Sequence, residues 1–125
     1  MAAPAKKLEP QKRSGTAHAR RYPRFPIDVR MQVRMFQDGE FRNCWGRSTE
    51  LGQDGIGATL TGELETGEIV SLDLPLPLTP YPVKVRAIVR YRQGLRYGFE
   101  FLTLTDNQRD MIGRVCDMLA TKSGD

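Results

Sequence analysis

The segment "HARRYPRFPIDVR" at residues 18–30 contains the side chains of this sequence that are best suited to binding chemistry. Arg20, Arg21, Arg24 and Arg30 fall within its thirteen positions, and Arg20 and Arg24 form an R-x-x-x-R spacing. A guanidinium presents a planar fork of N–H donors, which can pair with phosphate oxygens or with O6 and N7 of guanine. The segment is therefore a candidate binding site for a phosphate group or a nucleotide.

Arginine is also enriched in the chain as a whole. The 125 residues include 14 arginines but 5 lysines, and the net charge is +4 with a pI near 9.3. This bias favours a phosphate-bearing partner, although most of the individual arginines are expected to be solvated surface charges. Three further R-x-x-x-R pairs fall on alternating polar positions of strand-like segments, where a solvent-facing position is the simplest interpretation: Arg30 with Arg34, Arg86 with Arg90, and Arg92 with Arg96.

The sequence does not assemble a catalytic site, and a binding module is the better interpretation. The one histidine, His18, has no cysteine or serine nucleophile elbow near it in the sequence, and neither a phosphate-binding glycine loop nor metal-ligand spacing occurs. Three carboxylates fall on the polar side of a helical segment, where solvation is expected: Asp106, Asp110 and Asp117. Cys44 and Cys116 are far apart without C-x-x-C spacing, so we expect two reduced, buried thiols.

Composition divides the chain into an arm, one domain and a tail. Residues 1–17 have almost nothing to bury and predict a flexible arm, whereas residues 18–120 predict a single domain and residues 121–125 a tail. The start of the chain lacks the apolar stretch of a secretory signal, and no apolar run is of membrane length. These observations predict a cytoplasmic protein that does not insert into a membrane.

Alternation of apolar and polar residues predicts a series of β-strands. Residues 27–35 alternate strictly, and the Asp-Gly pair in "QDGE" at residues 37–40 predicts a tight hairpin to the next strand. A short strand follows around residues 56–61, and "IVSLDLPLPL" predicts another that stops at its prolines. Two more strands, Val83–Arg92 and Arg96–Leu102, flank a turn predicted at Gln93 and Gly94.

Residues 105–120 change to helical spacing, with a capping box predicted at Thr105 and Gln108. Evenly spaced strands followed by one helix indicate a mainly β protein, a small β-barrel with one C-terminal α-helix packed against it. The predicted core of this fold comprises Val29, Met31, Val33, Trp45, Val85, Val89, Phe99, Phe101, Ile112, Val115 and Leu119.

Two separated motifs lie next to the first two predicted strands. Arg20 and Arg24 immediately precede the first strand, and "ELGQDG" at residues 50–55 follows the second. This arrangement resembles the PilZ domain family of bacterial receptors for the second messenger cyclic di-GMP, which has R-x-x-x-R and a [D/N]-x-S-x-x-G turn in these places. "YGFEF" at residues 97–101 and "TDNQRDMI" at residues 105–112 resemble its last strand and the start of its final helix. The resemblance implies a six-stranded antiparallel β-barrel with one C-terminal helix.

The resemblance also implies a ligand, cyclic di-GMP, and a set of binding residues. Arg20 and Arg24, assisted by Arg21, would bind phosphate or guanine, and the turn would contribute Glu50, Gly52 and Gly55. Glu50 stands where the family has Asp or Asn, and Gly52 stands where it has Ser. No cofactor is implied.

Three functional interpretations follow. In the first, nucleotide binding changes the conformation of the N-terminal arm and so signals to a downstream protein partner. In the second, the glycines of "GQDGIG" serve a turn with positive φ, and the domain is an adaptor that binds proteins and no nucleotide. A nucleic-acid binder that stacks bases on Tyr22, Tyr91 and Tyr97 is disfavoured, because a readout motif is lacking and we expect Trp45, Tyr91 and Tyr97 to be core or barrel-wall residues.

Overall fold

The structure is a computed structural model that describes residues 22–124. The arm predicted at residues 1–17, the histidine His18, and the candidate site residues Arg20 and Arg21 lie outside the described residues. Within residues 22–124 no helix is both long enough and apolar enough to cross a membrane.

Residues 22–124 form seven strands and one helix. In chain order these are β1 (Phe25–Pro26), β2 (Arg30–Gln37), β3 (Glu40–Leu51), β4 (Gly55–Leu60), β5 (Ile69–Leu74), β6 (Val83–Gln93), β7 (Arg96–Thr103) and α1 (Asp106–Gly124). The strands match the predicted segments to within a few residues, and β5 ends before Pro75 because proline cannot donate to a strand ladder. The helix continues four residues beyond the predicted end at residue 120.

The strands close into a β-barrel, as the strand pattern predicts, and its six antiparallel strands are those that the family resemblance implies. The sheet order is β1-β3-β2-β5-β6-β7-β4, and an additional pairing of β3 with β4 closes the ring formed by β2 to β7. β1 is an extra strand, which pairs with the end of β3 through Phe25 with Leu51 and Pro26 with Glu50. This pairing places Pro23 and Arg24 against the turn that follows β3.

Two of the connections are tight hairpin turns. Asp38 and Gly39 both have positive φ, of 54° and 78°, as a type I′ turn requires, so the hairpin predicted from the Asp-Gly pair is confirmed. The turn between β6 and β7 lies one residue later than predicted. Gln93 pairs with Arg96, so the two turn residues are Gly94, with φ 63°, and Leu95.

The inward faces of the strands and one face of α1 form the core. Of the predicted core residues, Val29 is half-buried and the following are buried: Met31, Val33, Val85, Val89, Phe99, Phe101, Ile112, Val115 and Leu119. Tyr97 is buried and Tyr91 half-buried, as expected for barrel residues. Cys44 and Cys116 are free, buried thiols as predicted, and burial raises the pKa of both, that of Cys116 to about 11.

Trp45 is the exception, because it faces outward and is 45% exposed. Its neighbours Cys44 and Gly46 occupy the inward positions of β3, and a side chain at Gly46 would collide with Leu60, 2.5 Å from the position of a Cβ. The prediction that Trp45 belongs to the core is therefore wrong, because strand parity decides which side chains face the core. The outward ring packs under the guanidinium of Arg30, 4.3 Å from the ring centre.

The helix α1 begins with the predicted capping box. The Gln108 backbone N–H donates to Thr105 Oγ1 over 3.0 Å, and the Thr105 N–H donates to Gln108 Oε1 over 3.1 Å. Ile112, Val115 and Cys116 are buried on the side facing the barrel, and the helix also contacts β1. The helix therefore packs beside the segment that carries Arg24.

Candidate functional site

The two candidate motifs meet at the end of β3. Because β1 pairs with Leu51 and Glu50, the preceding residue, Arg24, is placed against the turn at residues 50–55. Arg24 Nη1 lies 3.8 Å from Glu50 Oε2, and Arg24 Nη2 lies 3.5 Å from Asp54 Oδ1. The Arg24 side chain is only 14% exposed, so these carboxylates compensate a charge that is largely removed from water.

Close packing, and not an unusual backbone conformation, accounts for the two glycines of the turn. Neither Gly52 nor Gly55 has positive φ, so the interpretation based on a positive-φ turn is wrong for both. A Cβ at Gly52 would lie 2.6 Å from Arg24 Cδ and 3.0 Å from the carbonyl oxygen of Pro23. A Cβ at Gly55 would overlap the carbonyl oxygen of Phe99 on the adjacent strand. The turn itself is closed by the Gly52 N–H, which donates to the Gly55 carbonyl over 2.9 Å.

Asp54 belongs to this site, although sequence reasoning missed it. Its Oδ1 atom and Arg24 Nε are both buried, and neither makes a hydrogen bond within the described part of the chain. The contact between the two side chains is thus an ion pair without direct hydrogen bonding, and one N–H donor of the guanidinium is unused. The only available signal was an acid inside "GQDG", a composition that is also typical of an ordinary solvent-exposed turn.

The helix α1 lies close behind the ion pair. Cys116 on this helix has a pKa raised chiefly by burial and secondly by the neighbouring charge of Asp117. The charge of Arg24 opposes that shift and the charge of Asp54 adds to it. The helix also contacts β1, the strand that directly follows Arg24.

The site thus contains four of the six residues proposed from the sequence. Arg24, Glu50, Gly52 and Gly55 come together, whereas Arg20 and Arg21 lie outside the described residues. Residues 22–124 hold no cluster of three His, Cys, Asp or Glu side chains that could bind a metal ion. The available chemistry is recognition of an anion by a guanidinium next to carboxylate acceptors.

A sequence profile of the PilZ domain matches residues 18–117. The chain belongs to the PilZ domain family. This match spans both motifs, the whole barrel and most of α1. A search of curated proteins found no sequence match.

Solved PilZ structures share the fold at low sequence identity. The PilZ domain of CeSA from a cellulose-synthesizing bacterium is 17% identical with a TM-score of 0.60, covering 78% of this chain and 97% of its own. The PilZ domain of YcgR from Escherichia coli with c-di-GMP is 17% identical with a TM-score of 0.62, covering 85% and 95%. The inhibitor of motility MotI/DgrA from Bacillus subtilis is 18% identical with a TM-score of 0.62, covering 84% of this chain and 53% of its own.

Proposed function

We propose that this PilZ domain is a bacterial receptor for cyclic di-GMP, acting in the cytoplasm and without enzymatic activity. The nucleotide binds to Arg20, Arg21 and Arg24 and to the turn that contains Glu50, Gly52 and Gly55. Binding changes the conformation of the N-terminal arm and so signals to a downstream protein partner. Membership of the family supports this proposal, and so does the similar YcgR domain, which contains the nucleotide.

The contact between Arg24 and the turn at residues 50–55 is the observation that carries the proposal. It joins two motifs that are 26 residues apart, counted from Arg24 to Glu50, in one place on the surface. Cyclic di-GMP carries two phosphate charges and two guanines, which require positive donors and acceptors for guanine N1–H and N2–H. The Nη atoms of Arg24 supply donors, and Glu50 supplies a carboxylate of the acceptor type.

The glycine at position 52 weakens such a site without removing it. The family's serine would offer a hydroxyl, and a neutral hydrogen bond contributes about 0.5–1.5 kcal/mol, which corresponds to roughly threefold to tenfold in affinity. Packing of Arg24 against Gly52 partly offsets this loss, because it fixes the guanidinium beside the turn. A fixed donor loses less conformational entropy when the ligand binds.

An adaptor that binds no nucleotide is the second candidate function. The ion pairs of Arg24 favour it, because Glu50 and Asp54 already compensate the charge that a phosphate would need. An incoming phosphate must displace or share these contacts. Direct binding measurements distinguish the adaptor from the receptor.

Isothermal titration calorimetry with cyclic di-GMP tests the proposal. The wild-type protein should bind, and Arg20→Ala should weaken binding about tenfold to a hundredfold, since a hydrogen bond to a charged group contributes about 1.5–3 kcal/mol. Arg42→Ala is the matched control, because Arg42 pairs with Asp38 at the opposite end of β3 and should not affect affinity. Equal losses in both variants would indicate general electrostatic attraction, and no binding by the wild type would favour the adaptor.

A further inference from the structure

The outer face of β2, β3 and β5 exposes a group of large apolar side chains. Phe36 is 59% exposed, Phe41 is 69% exposed and Ile69 is 47% exposed. Phe36 pairs across the strands with Phe41, and their rings contact edge to face with centres 5.0 Å apart. Extending the register of β2 with β5 by two residues places Ile69 beside Phe36. Three adjacent strands thus contribute one apolar residue each to a continuous stripe.

A row that contains two arginines runs beside this stripe. Arg34 pairs with Ser71 across β2 and β5, and Ser71 pairs with Arg86 across β5 and β6. Within residues 22–124, neither Arg34 nor Arg86 has a carboxylate at ion-pair distance, and Arg34 instead lies 5.7 Å from the ring centre of Phe41. Asp73, which lines a surface depression together with both arginines, is paired with Lys84 at 3.9 Å.

The stripe and the arginines border the same depressions in the surface. A depression of about 220 Å³ is lined by Phe36, Phe41, Ile69, Arg34 and Arg86, and a second of about 320 Å³ shares both arginines. We refer to these five residues as the Arg34–Arg86 surface. It lies toward the end of β3 opposite to Arg24, since residues 41 and 51 of one strand are about 33 Å apart at roughly 3.3 Å per residue.

The spacing on this surface matches that of an α-helix laid across the strands. Neighbouring strands are about 4.8 Å apart and a helical turn rises about 5.4 Å, so one apolar side chain per turn meets one strand. Arg34 and Arg86 are separated by one intervening strand, which is about 10 Å or close to two helical turns. A helix with an apolar face and carboxylates beside it would fit both rows.

Charge and side-chain type disfavour the other occupants. Residues 1–21 of the chain carry six lysines and arginines against one glutamate, so they would be repelled by unpaired arginines. The same surface on a second copy would be repelled for the same reason. Single-stranded nucleic acid binds by stacking its bases on the faces of aromatic rings, whereas Phe36 and Phe41 pack edge to face and Ile69, at the β5 end of the stripe, has no aromatic face.

We propose that the Arg34–Arg86 surface docks an acidic amphipathic helix of a partner protein. The apolar face of that helix covers Phe36, Phe41 and Ile69, and its carboxylates pair with Arg34 and Arg86. This binding mode is the helix-in-groove type with added charge complementarity. The inference requires no nucleotide, so its test is independent of whether cyclic di-GMP binds.

A synthetic helix is a suitable probe. It is a fluorescein-labelled, stapled peptide of about 15 residues, with leucines at helical spacing and glutamates elsewhere. Fluorescence anisotropy measures the affinity of the peptide for the full chain. The fluorescence of Trp45, the single tryptophan, reports on the outer face of β3, the strand that also carries Phe41. A peptide with glutamine in place of glutamate and an oligothymidine of about 15 nucleotides are the comparison ligands.

We expect the glutamate peptide to bind and the glutamine peptide and oligothymidine to bind at least tenfold more weakly. The double variant Arg34→Glu/Arg86→Glu should weaken peptide binding at least tenfold, and Phe36→Ser at least threefold. The matched control is Arg109→Glu/Arg114→Glu, which reverses two exposed charges on α1 and should leave affinity unchanged. Thermal unfolding of each variant shows that it is folded.

Four outcomes would overturn the proposal. The first is that the glutamate peptide fails to bind. The second is that the two double variants weaken binding equally, which means general electrostatic attraction. The third is tighter binding of oligothymidine than of the peptide, which means a nucleic-acid surface, and the fourth is a dimer in sedimentation that Phe36→Ser dissociates, which means an interface between copies of this chain.

Discussion

At the scale of single residues, Arg24 and Gly52 depend on each other. Because a Cβ at position 52 would lie 2.6 Å from Arg24 Cδ, we predict that Gly52→Ser lowers the free energy of unfolding by about 1–3 kcal/mol. The added hydroxyl should not tighten cyclic di-GMP binding, because it displaces the arginine that the site needs. Urea denaturation measures the first effect and calorimetry the second.

Gly113 provides the matched control for this substitution, since a Cβ there meets nothing within 4 Å. Gly113→Ser lies inside α1 and should be neutral or slightly stabilising, because glycine is a poor helix former. In a protein that already carries Arg24→Ala, Gly52→Ser should lower the free energy of unfolding by less, as expected for two residues in contact. A stable Gly52→Ser protein with tighter nucleotide binding would show that Arg24 does not occupy this position in solution.

Arg24 also stabilises the fold, so we expect its removal to change stability as well as binding. From the sequence alone, Arg24→Ala is expected to affect binding and hardly affect stability. The structure places a buried Asp54 oxygen against Arg24, so truncation leaves an uncompensated acid. We predict a loss of about 1–3 kcal/mol in the free energy of unfolding for Arg24→Ala, against about 0.5 kcal/mol or less for the exposed Arg42→Ala.

A double-mutant cycle checks the cause of this loss. Combining Arg24→Ala with Asp54→Ala removes both charges, so the double variant should be more stable than the sum of the single effects predicts. Simple additivity would mean that the two side chains do not interact. Arg20→Ala is then the cleaner probe of nucleotide binding, and Arg24→Ala has to be interpreted together with its stability.

Residues whose positions follow from the sequence are placed by contacts with their neighbours in the chain, whereas residues whose positions do not follow from it are placed by contacts with distant parts of the chain. Thr105 and Gln108 cap a helix that begins beside them, so neighbouring sequence suffices. Trp45 is oriented by strand parity. Asp54 is oriented by its contact with Arg24, which lies thirty residues earlier in the chain. Residue type does not encode such long-range contacts, and a resemblance to a family supplied the pairing of Arg24 with residues 50–55.

At the scale of elements, one turn departs from the rules that predict the others. Leu76, Pro77, Leu78 and Thr79 form a turn in which Leu78 has φ 69°, a left-handed conformation that favours glycine. The Leu78 side chain is 65% exposed, so packing compensates little of the strain. We predict that Leu78→Gly raises the free energy of unfolding by about 0.5–1 kcal/mol, measured by urea denaturation.

Leu95 is the comparison for this prediction. It is also 65% exposed and lies in a hairpin turn, but its φ is not positive. Leu95→Gly should therefore lower stability by about 0.5–1 kcal/mol through the added freedom of the unfolded chain. Stabilisation of both variants, or of neither, would mean that the conformation of Leu78 is not the cause.

The strands and hairpins themselves were predictable because their signals are local. The Asp-Gly pair at residues 38–39 and the prolines after β5 mark element ends within a few residues of sequence. The two-residue strand β1 was not predicted, since Phe25–Pro26 is too short for periodicity and exists through its pairing with Leu51 and Glu50. That short pairing nevertheless positions the candidate site.

At the scale of the whole molecule, the two proposed surfaces lie toward opposite ends of β3. The site around Arg24 is attached to the end of β3 and to α1, whereas the Arg34–Arg86 surface lies over β2, β3, β5 and β6. A barrel closed by backbone hydrogen bonds is stiff, so a nucleotide signal is expected to act through the N-terminal arm and not through the strands.

Limited trypsin digestion tests this role of the arm. If the guanidiniums of Arg20 and Arg21 bind cyclic di-GMP, they cannot at the same time enter the protease, so the ligand should slow cleavage after them. At a ligand concentration of about 100 Kd roughly 1% of the protein is unbound, which allows protection of at least tenfold. Mass spectrometry identifies the cleaved bonds. Cleavage after Lys122, in the last turn of α1, is the internal control and should be unaffected.

The combination of digestion and calorimetry separates the three mechanisms. Protection together with calorimetric binding supports a receptor whose arm responds to the nucleotide, and Arg20→Ala should then weaken binding and protection together. Calorimetric binding without protection would mean that the nucleotide binds the turn around Glu50 and that the arm does not transmit the signal. Neither binding nor protection would leave the adaptor, because Arg24 would then serve only its ion pairs with Glu50 and Asp54.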